Sequence, residues 1–429
     1  MESLGYEERL AKLGLFTLEK RHLRGFIAME SINKSINEFS LDIFKELNSS
    51  CENKNIFFSP MSISAALYLL HLGSREDTAT QIQKVVRYPD VKKEGFFRRR
   101  CATQQRSNEE SPGKDVSECG KVSDAHSKFH ALLSKLTEDP KGVELQIANG
   151  MFAQMNFPFL QQYLECAQAL YNAKLQNVDF EKDETRENIN SWVESKTQGK
   201  IKDLFEKNSL DKRTALVLVN AIYFKGIWSN PFQEVHTKDA PFYVSKDVVK
   251  SVPMMYQSQK FNLGAIKELN AQILELPYQL GALSMFILLT NEKFGLQKIE
   301  QQLSWNYLAK GMSNMENTKL DVYIPRFRLE ESLDLGSHLI NMGMVDAFSE
   351  AKANLSGISD VPLYVSKIVH KAFVEVNEEG TVAAAATGVQ IAPKMAVIPR
   401  VFKADHSFLF FIKDNPNDTI LFFGKYESP

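Results

Sequence analysis

Residues 378–388 read EEGTVAAAATG, a run of small side chains that follows the strand-like hexamer KAFVEV at residues 371–376. Alternate residues of a strand face opposite sides of its sheet, so a segment this small would fit between two existing strands without a clash. Local propensity favours a helix instead, because alanine is the best helix former and Thr381 is a common N-cap residue. The segment is therefore compatible with both helix and strand, as a conformational switch requires.

The composition is that of a large globular protein. The chain has 429 residues, 44% hydrophobic content and a formal net charge of −2, which allows one large domain or two ordinary ones. Near-neutral charge creates no general attraction to nucleic acid or to an acidic membrane. No apolar stretch approaches the roughly 20 residues of a membrane span. We therefore expect neither a membrane nor a nucleic acid as partner.

The N-terminal region and the cysteines predict a cytoplasmic protein. Within residues 1–28, Lys12, Glu19 and Lys20 interrupt the apolar run from Leu10 to Leu18, so we expect no secretory core. The four cysteines show no Cys-x-x-Cys spacing and are typical of a reducing compartment with free thiols. They are Cys51, Cys101, Cys119 and Cys166. Entry into the nucleus and release without a signal peptide remain alternatives.

The chain begins with an extension that precedes the folded domain. Residues 1–28 are charged and weakly periodic, and Met29 starts a near-repeat of the first four residues. We expect residues 1–28 to be disordered or absent from the translated protein. Apolar residues from Ile32 to Leu47 follow helical spacing. They open a single domain that comprises residues 29–429.

An insertion interrupts this domain. Residues 88–124 carry basic clusters and then a stretch rich in Ser, Glu, Gly and Pro, which predicts a mobile segment. The triplet Arg98 to Arg100 could contact nucleic acid or serve as a nuclear address, but solvated loop charge is the preferred interpretation. Helical and strand-like segments alternate irregularly through the rest of the chain. The fold class is therefore mixed α/β, of the α+β type.

Enzyme signatures in the sequence are incomplete. His126 and His130 lie one helical turn apart, but Ser127 stands where a His-Glu-x-x-His zinc site needs its glutamate. The run Asp405–Ser407 contains the residue types of a hydrolase triad, yet adjacent residues cannot generally point at one another as a triad requires. No nucleophile elbow, phosphate-binding loop or dinucleotide fingerprint occurs. We predict no enzymatic activity, no metal and no cofactor.

Several other segments resemble the serpin family in order and spacing. They are NIFFSPMSI at residues 55–63, NSWV at 190–193, TQGKI at 197–201, LVNAIYFKGIW at 218–228, IPRF at 324–327, SKIVHKAF at 366–373 and LFFGK at 421–425. The resemblance extends from about Met29 to Pro429. The missing signal peptide, the insertion and the terminal Ser428-Pro429 are similar to the ovalbumin-type intracellular branch, also called clade B.

The resemblance implies a fold of three β-sheets and eight or nine helices, with an exposed reactive loop above a five-stranded main sheet. It also assigns a hinge segment to the start of that loop: Glu378, Glu379, Gly380, Thr381, Val382, Ala383, Ala384, Ala385, Ala386 and Thr387. Five further residues are implied to surround the region where the sheet opens: Ser59, Ser62, Asn220, His370 and Trp228.

The implied function is inhibition of a serine protease that takes the reactive loop as a suicide substrate. Counting seventeen residues from Glu378 in the family's register places the scissile bond at Lys394-Met395. A lysine before the bond suits a trypsin-like protease, whose pocket ends in a carboxylate. A register shifted by one residue would present Met395 and favour elastase-like or chymotrypsin-like enzymes. We expect the inhibitor to act as a monomer.

Four residues depart from the family's usual pattern. Val382 replaces a glutamate, Thr290 and Ser407 each replace a proline, and Asn354 replaces an aspartate. An outward-facing β-branched residue suits a strand, but the other three changes could loosen a turn or a cap. The alternative function is therefore a non-inhibitory serpin that acts as an interaction or chaperone protein.

Overall fold

The computed structural model describes residues 15–50, 53–89, 124–138, 143–380 and 399–429. Within these ranges the α-helices are α1 (Leu15–Ser50), α2 (Pro60–Gly73), α3 (Glu76–Val85), α4 (Asp124–Glu138), α5 (Gln161–Tyr171), α6 (Asp183–Lys196), α7 (Leu296–Gln302), α8 (Trp305–Ser313) and α9 (Gly336–Asn341). Helix α1 crosses the domain boundary predicted at Met29, and that boundary stays a prediction. No helix in these ranges combines the length and apolarity needed to cross a bilayer.

Local sequence explains where α2 begins. Ser59 adopts an extended conformation and its hydroxyl accepts a hydrogen bond from the Ser62 backbone N–H, while Pro60 occupies the first helical position. Serine and threonine are favoured caps, and proline tolerates the first turn because its missing N–H would have no partner there. Helix α2 is then buried over most of its length, as its apolar composition predicts.

The described strands are β1 (Ile56–Phe58), β2 (Val143–Gln154), β3 (Lys174–Val178), β4 (Leu216–Gly226), β5 (Lys238–Tyr243), β6 (Val249–Ile266), β7 (Ala271–Pro277), β8 (Leu283–Thr290), β9 (Glu316–Pro325), β10 (Phe327–Asp334), β11 (Lys367–Val376), β12 (Arg400–Lys403), β13 (Phe408–Asp414) and β14 (Thr419–Tyr426). The mixed α and β class is thereby confirmed.

The smaller sheet has five strands in the order β10-β11-β4-β2-β3. Its central neighbours β4 and β11 run parallel, and they pair from Lys367 with Val217 to Phe373 with Tyr223. Strand β2 pairs antiparallel with the other edge of β4. Strand β4 is buried at every position except Lys225, so the middle of this sheet is covered on both faces.

The remaining strands form one nine-stranded hydrogen-bonded sheet instead of the two further sheets that the resemblance implies. Its order is β1-β14-β13-β8-β7-β6-β9-β12, and β5 also pairs with β6. Strand β6 is 18 residues long. Because β6 pairs with β7 only over Asn262–Ile266 and with β9 over Met254–Leu263, it links two groups of strands into one sheet.

Two hydrophobic clusters lie on the two faces of the five-stranded sheet. The larger includes α2 and the aromatic residues of β13 and β14. The smaller contains Ile189 and Val193 of α6, which pack with Val219 of β4 and Phe373 of β11. Alternate residues of β4 and β11 therefore face different helices.

Candidate functional site

The strands β4 and β11 separate at one end of the five-stranded sheet. Their pairing stops at Tyr223 and Phe373, although β4 continues to Gly226 and β11 continues to Val376. Just beyond, Gly380 forms a bridge with Ile227. We call this separation of the two strands the fork. The first residues of the predicted hinge segment lie at the fork.

A tight turn reverses the chain there. Asn377 and Gly380 exchange backbone hydrogen bonds of 3.2 and 3.3 Å. Gly380 has a φ of 108°, and a Cβ built on it would lie 2.5 Å from both the Gly226 carbonyl oxygen and the Trp228 nitrogen. Only glycine combines this conformation with so close an approach of two backbones.

Trp228 stabilises the turn through two hydrogen bonds. Its indole Nε1 donates to the Asn377 carbonyl over 3.0 Å, and its backbone N–H donates to the Glu379 carbonyl over 3.0 Å. The indole stacks on the Tyr278 ring with centroids 4.5 Å apart and planes 13° apart. A buried, hydrogen-bonded aromatic side chain of this kind makes the base of the loop rigid.

Glu378 is held by residues from two other parts of the chain. Its carboxylate accepts hydrogen bonds from Thr237 Oγ1 at 2.6 Å and from the Arg326 guanidinium at 2.5 Å. Burial alone would raise the pKa of Glu378, but these hydrogen bonds lower that pKa below its usual value. The carboxylate therefore stays charged and tethered at the fork.

Further along the five-stranded sheet, two asparagines and one histidine lie side by side on three neighbouring strands. Asn149 of β2 pairs in register with Asn220 of β4, which pairs with His370 of β11. Asn220 Nδ2 donates to Asn149 Oδ1 at 2.5 Å and to the Ser62 carbonyl oxygen at 3.0 Å. This side-chain network connects the three strands to α2.

His370 closes the network. The Ser59 backbone N–H donates to Nε2 over 3.0 Å, so Nδ1 carries the ring proton and donates to Asn220 Oδ1 over 2.5 Å. Complete burial lowers the pKa of His370 to about 3 because the imidazolium would lose its hydration. The ring is therefore neutral and bridges β4 and β11 on the face that meets α2.

Four of the five residues implied to surround the opening region thus belong to one network, and Trp228 lies separately at the fork. Sequence reasoning missed Asn149, although an amide within the apolar segment IANGMF was a usable signal. It also missed Thr237 and Arg326. The hinge residues Thr381 to Thr387 and the predicted scissile pair Lys394-Met395 lie outside the described residues.

Thr290, one of the expected departures from the family's pattern, contacts His406, which precedes a second departure, Ser407. His406 Nε2 lies 3.1 Å from the Thr290 carbonyl oxygen and 3.2 Å from Thr290 Oγ1. The hydroxyl of the neighbouring Ser407 donates to Glu427 Oε1 over 3.4 Å. Both positions at which the resemblance led us to expect proline therefore form hydrogen bonds.

Asn354 also makes specific contacts. Its Oδ1 accepts from the Ser356 hydroxyl over 2.8 Å, and its Nδ2 donates to Glu76 Oε2 over 3.2 Å. The Asn354 backbone N–H donates to Thr78 Oγ1 over 3.0 Å. The amide therefore keeps the turn next to α3 hydrogen-bonded, and an aspartate could replace the acceptor Oδ1 but could not donate to Glu76.

The run Asp405–Ser407, which contains the residue types of a hydrolase triad, shows one contact that the sequence argument did not expect. Asp405 Oδ1 and His406 Nδ1 are 2.9 Å apart, so these adjacent residues do contact each other and that part of the argument was wrong. Ser407 nevertheless points to Glu427, away from the imidazole. The serine is therefore not aligned with the histidine as a nucleophile would be.

The histidine pair and one cysteine have partners of their own. His126 Nε2 lies 3.2 Å from His71 Nδ1, whereas His130 Nδ1 lies 3.0 Å from the Leu170 carbonyl oxygen. Cys166 is disulfide-bonded. The prediction that all four cysteines are free thiols is therefore wrong for Cys166.

Comparison with known proteins supports one family. The family described as Serpin (serine protease inhibitor) matches residues 34–429. Serpin B11 of Homo sapiens is 42% identical over 409 residues, which cover 94% of this chain and 100% of that protein. Leukocyte elastase inhibitor of Equus caballus is 41% identical over 410 residues, with the same two coverages.

Solved structures agree with the sequence comparison. Uncleaved ovalbumin superposes with a TM-score of 0.79 at 37% identity, covering 93% of this chain and 100% of that chain. A loop-inserted, cleaved ovalbumin mutant superposes with a TM-score of 0.77 at the same identity and coverage. The expected fold is thereby confirmed, with two of its three expected sheets joined through β6.

Proposed function

Because this chain belongs to the serpin family, we propose that it inhibits a serine protease of trypsin-like specificity as a suicide substrate. The protease serine attacks the carbonyl carbon of Lys394, the bond to Met395 breaks, and the new amine of Met395 departs. The Lys394 carbonyl is then held as an ester on the serine. Insertion of the loop into the five-stranded sheet distorts the attached protease before water can hydrolyse this ester.

The observation that carries the proposal is the fork between β4 and β11. These two strands are parallel neighbours, so a third strand that runs antiparallel to both can pair with each of them. The chain enters at the fork, where Gly380 already bridges to Ile227. From that point the hinge segment has only to continue between the two strands.

Insertion requires small side chains on one face. The face of β4 and β11 that carries Asn220 and His370 meets α2 and is completely buried. If Thr381 faces this side after insertion, Ala383, Ala385 and Thr387 do so too, because side chains alternate. Val382 then faces the opposite side of the sheet. A large side chain at an inward position would stop the new strand.

Hydrogen bonds alone do not drive insertion. Each new ladder bond contributes about 0.5–1.5 kcal/mol, whereas ordering each residue costs about 1–2 kcal/mol. Insertion must also part the pairs between Lys367–Phe373 and Val217–Tyr223, together with the bond from His370 to Asn220. Burial of the loop side chains and strain released from the open form supply the difference.

Specificity rests on Lys394. A long cation before the scissile bond complements a carboxylate at the end of a trypsin-like pocket. The relative named leukocyte elastase inhibitor supports a serine protease as target, and we propose that this chain has changed the preferred enzyme through Lys394. The register that presents Met395 predicts an elastase-like target instead.

The deciding experiment mixes the protein with trypsin and looks for a complex that survives boiling in detergent. We expect a complex with the wild type and with Met395→Ala, but none with Lys394→Ala. A complex with elastase only, unaffected by Lys394→Ala, would move the scissile bond to the alternative register.

Thermal stability separates inhibitor from non-inhibitor. Cutting the wild type after Lys394 should raise its melting temperature sharply, because the freed loop can complete the sheet. If trypsin cuts the loop, no complex forms, and cut and intact proteins melt at the same temperature, then the non-inhibitory alternative is correct.

A further inference from the structure

Two lysines face each other without a carboxylate partner on the sheet that receives the end of the reactive loop. Lys260 of β6 and Lys319 of β9 are directly opposite in register, and both are exposed. Like charges at opposite positions destabilise a strand pair. Among the described residues neither lysine has an ion-pair partner within 4.0 Å, so nothing in this part of the chain offsets the repulsion.

The nearest carboxylates in register are engaged elsewhere. Asp321, two residues beyond Lys319, accepts a hydrogen bond from the Tyr256 hydroxyl over 3.3 Å. Glu275, which pairs with Asn262, accepts from that residue's Nδ2 over 2.8 Å and from the Ser284 hydroxyl over 2.7 Å. Within the described residues, neither carboxylate forms an ion pair with the two lysines, and both lysine side chains are exposed.

The same face extends to β12. Val401 pairs with Asp321 and is 57% exposed, and Lys403 pairs with Tyr323 and lies 5.9 Å from its ring centroid. Residues opposite one another in register point to the same side of a sheet. We define the lysine face as Lys260, Lys319, Val401, Lys403, Tyr256, Tyr323 and Asp321. It carries three lysines against one carboxylate, and Lys403 also lies 3.7 Å from Asp405 Oδ2.

The lysine face is continuous with the reactive loop. Strand β12 begins at Arg400, five residues after Met395. Five extended residues span at most about 18 Å, so a protease engaged at Lys394-Met395 must lie close to β12. A compact chain of about 230 residues has a radius of gyration of about 17 Å, large enough to extend over the strands next to β12.

We propose that the lysine face is a docking surface for an acidic patch of the protease that is bound at the loop. This inference rests on the proposed function and adds a second determinant to it. Lys394 selects the pocket chemistry, and the lysine face selects among trypsin-like enzymes by their surface charge. Complementary charge acts mainly on the association rate and weakens with salt.

The test compares an anionic trypsin with a cationic trypsin, since both cleave after lysine. The double change Lys260→Glu and Lys319→Glu should slow the anionic enzyme about tenfold at low salt, whether the rate followed is trapping or loop cleavage. The loss should disappear in about 1 M NaCl, where the Debye length is about 3 Å. The cationic enzyme should be unaffected or accelerated.

The matched control is Lys207→Glu with Lys212→Glu. These exposed lysines precede the start of β4, the end opposite the fork, and the total charge change is the same. The control should leave both rates within about twofold of the wild type. If both double variants slow the reaction with anionic trypsin equally, the effect comes from net charge alone and the docking face is refuted.

A single change distinguishes docking from a structural role. Lys319→Glu replaces the like-charge pair by opposite charges, so stability should rise while the association rate with anionic trypsin falls. Unchanged association would overturn the inference while leaving the proposed function intact. If neither trypsin is trapped and the loop is not cut by either, the proposed function fails and the docking face fails with it.

Discussion

Replacing Asn220 by alanine tests whether the buried network holds β4 and β11 together. Asn220 Oδ1 accepts from His370, and its Nδ2 donates to Ser62 and Asn149. All four residues are nearly or completely buried. Each buried polar group left without a partner costs about 1–3 kcal/mol. With one donor and at least one acceptor orphaned, Asn220→Ala should destabilise the protein by about 2–6 kcal/mol.

The second consequence concerns the fork. The bond from His370 to Asn220 crosses the line along which the sheet must open. Its loss should favour insertion of an uncut loop, from the same molecule or from another. After mild heating, native gels should show more associated or converted protein for Asn220→Ala than for the wild type.

Asn149→Ala is the control within the same network. Asn149 lies on β2 and contacts Asn220, so it does not bridge β4 and β11. We expect a loss of about 1 kcal/mol and no added association. Denaturant unfolding followed by circular dichroism measures both variants. If Asn220→Ala unfolds within 1 kcal/mol of the wild type and associates no faster, the network does not restrain opening.

Three further predictions concern pH, the hinge segment and the extension. The pKa of His126 and of His370 is lowered to about 3, below the unfolded value of about 6.5. The contribution of these buried neutral histidines to the free energy of unfolding is complete above pH 6.5 and falls by about 2 kcal/mol per histidine between pH 7 and pH 5. A denaturant midpoint that does not change between pH 7 and pH 5 would contradict this prediction. Thr381→Arg should convert the inhibitor into a cleaved substrate, because a buried unpaired charge stalls the new strand. Val382→Arg should have a far milder effect. If the two variants form equal amounts of stable trypsin complex, the two side chains do not face opposite sides of the sheet as proposed. Deleting residues 1–28 should shift the melting temperature little, since the family match begins at residue 34, and a drop of many degrees would show that the extension packs on the domain.

Local patterns in the sequence predicted much of the fold. Helical spacing from Ile32 to Leu47 predicted a buried stretch of α1, and Ser59 and Pro60 are local signals that fit the observed start of α2. Gly380 was recognisable as a hinge residue, and its positive φ explains the choice of glycine. These features were predictable because capping, periodicity and glycine conformation depend on residues a few positions apart.

Tertiary structure alone decided which distant residues meet. Asn149, Asn220 and His370 become neighbours through the register of three strands. Arg326 reaches Glu378, and Lys260 comes to face Lys319, across 52 and 59 residues of sequence. A change of one residue in strand register would turn each of these side chains to the other face. Register depends on the packing of the whole sheet, and therefore no single segment of the sequence contains it.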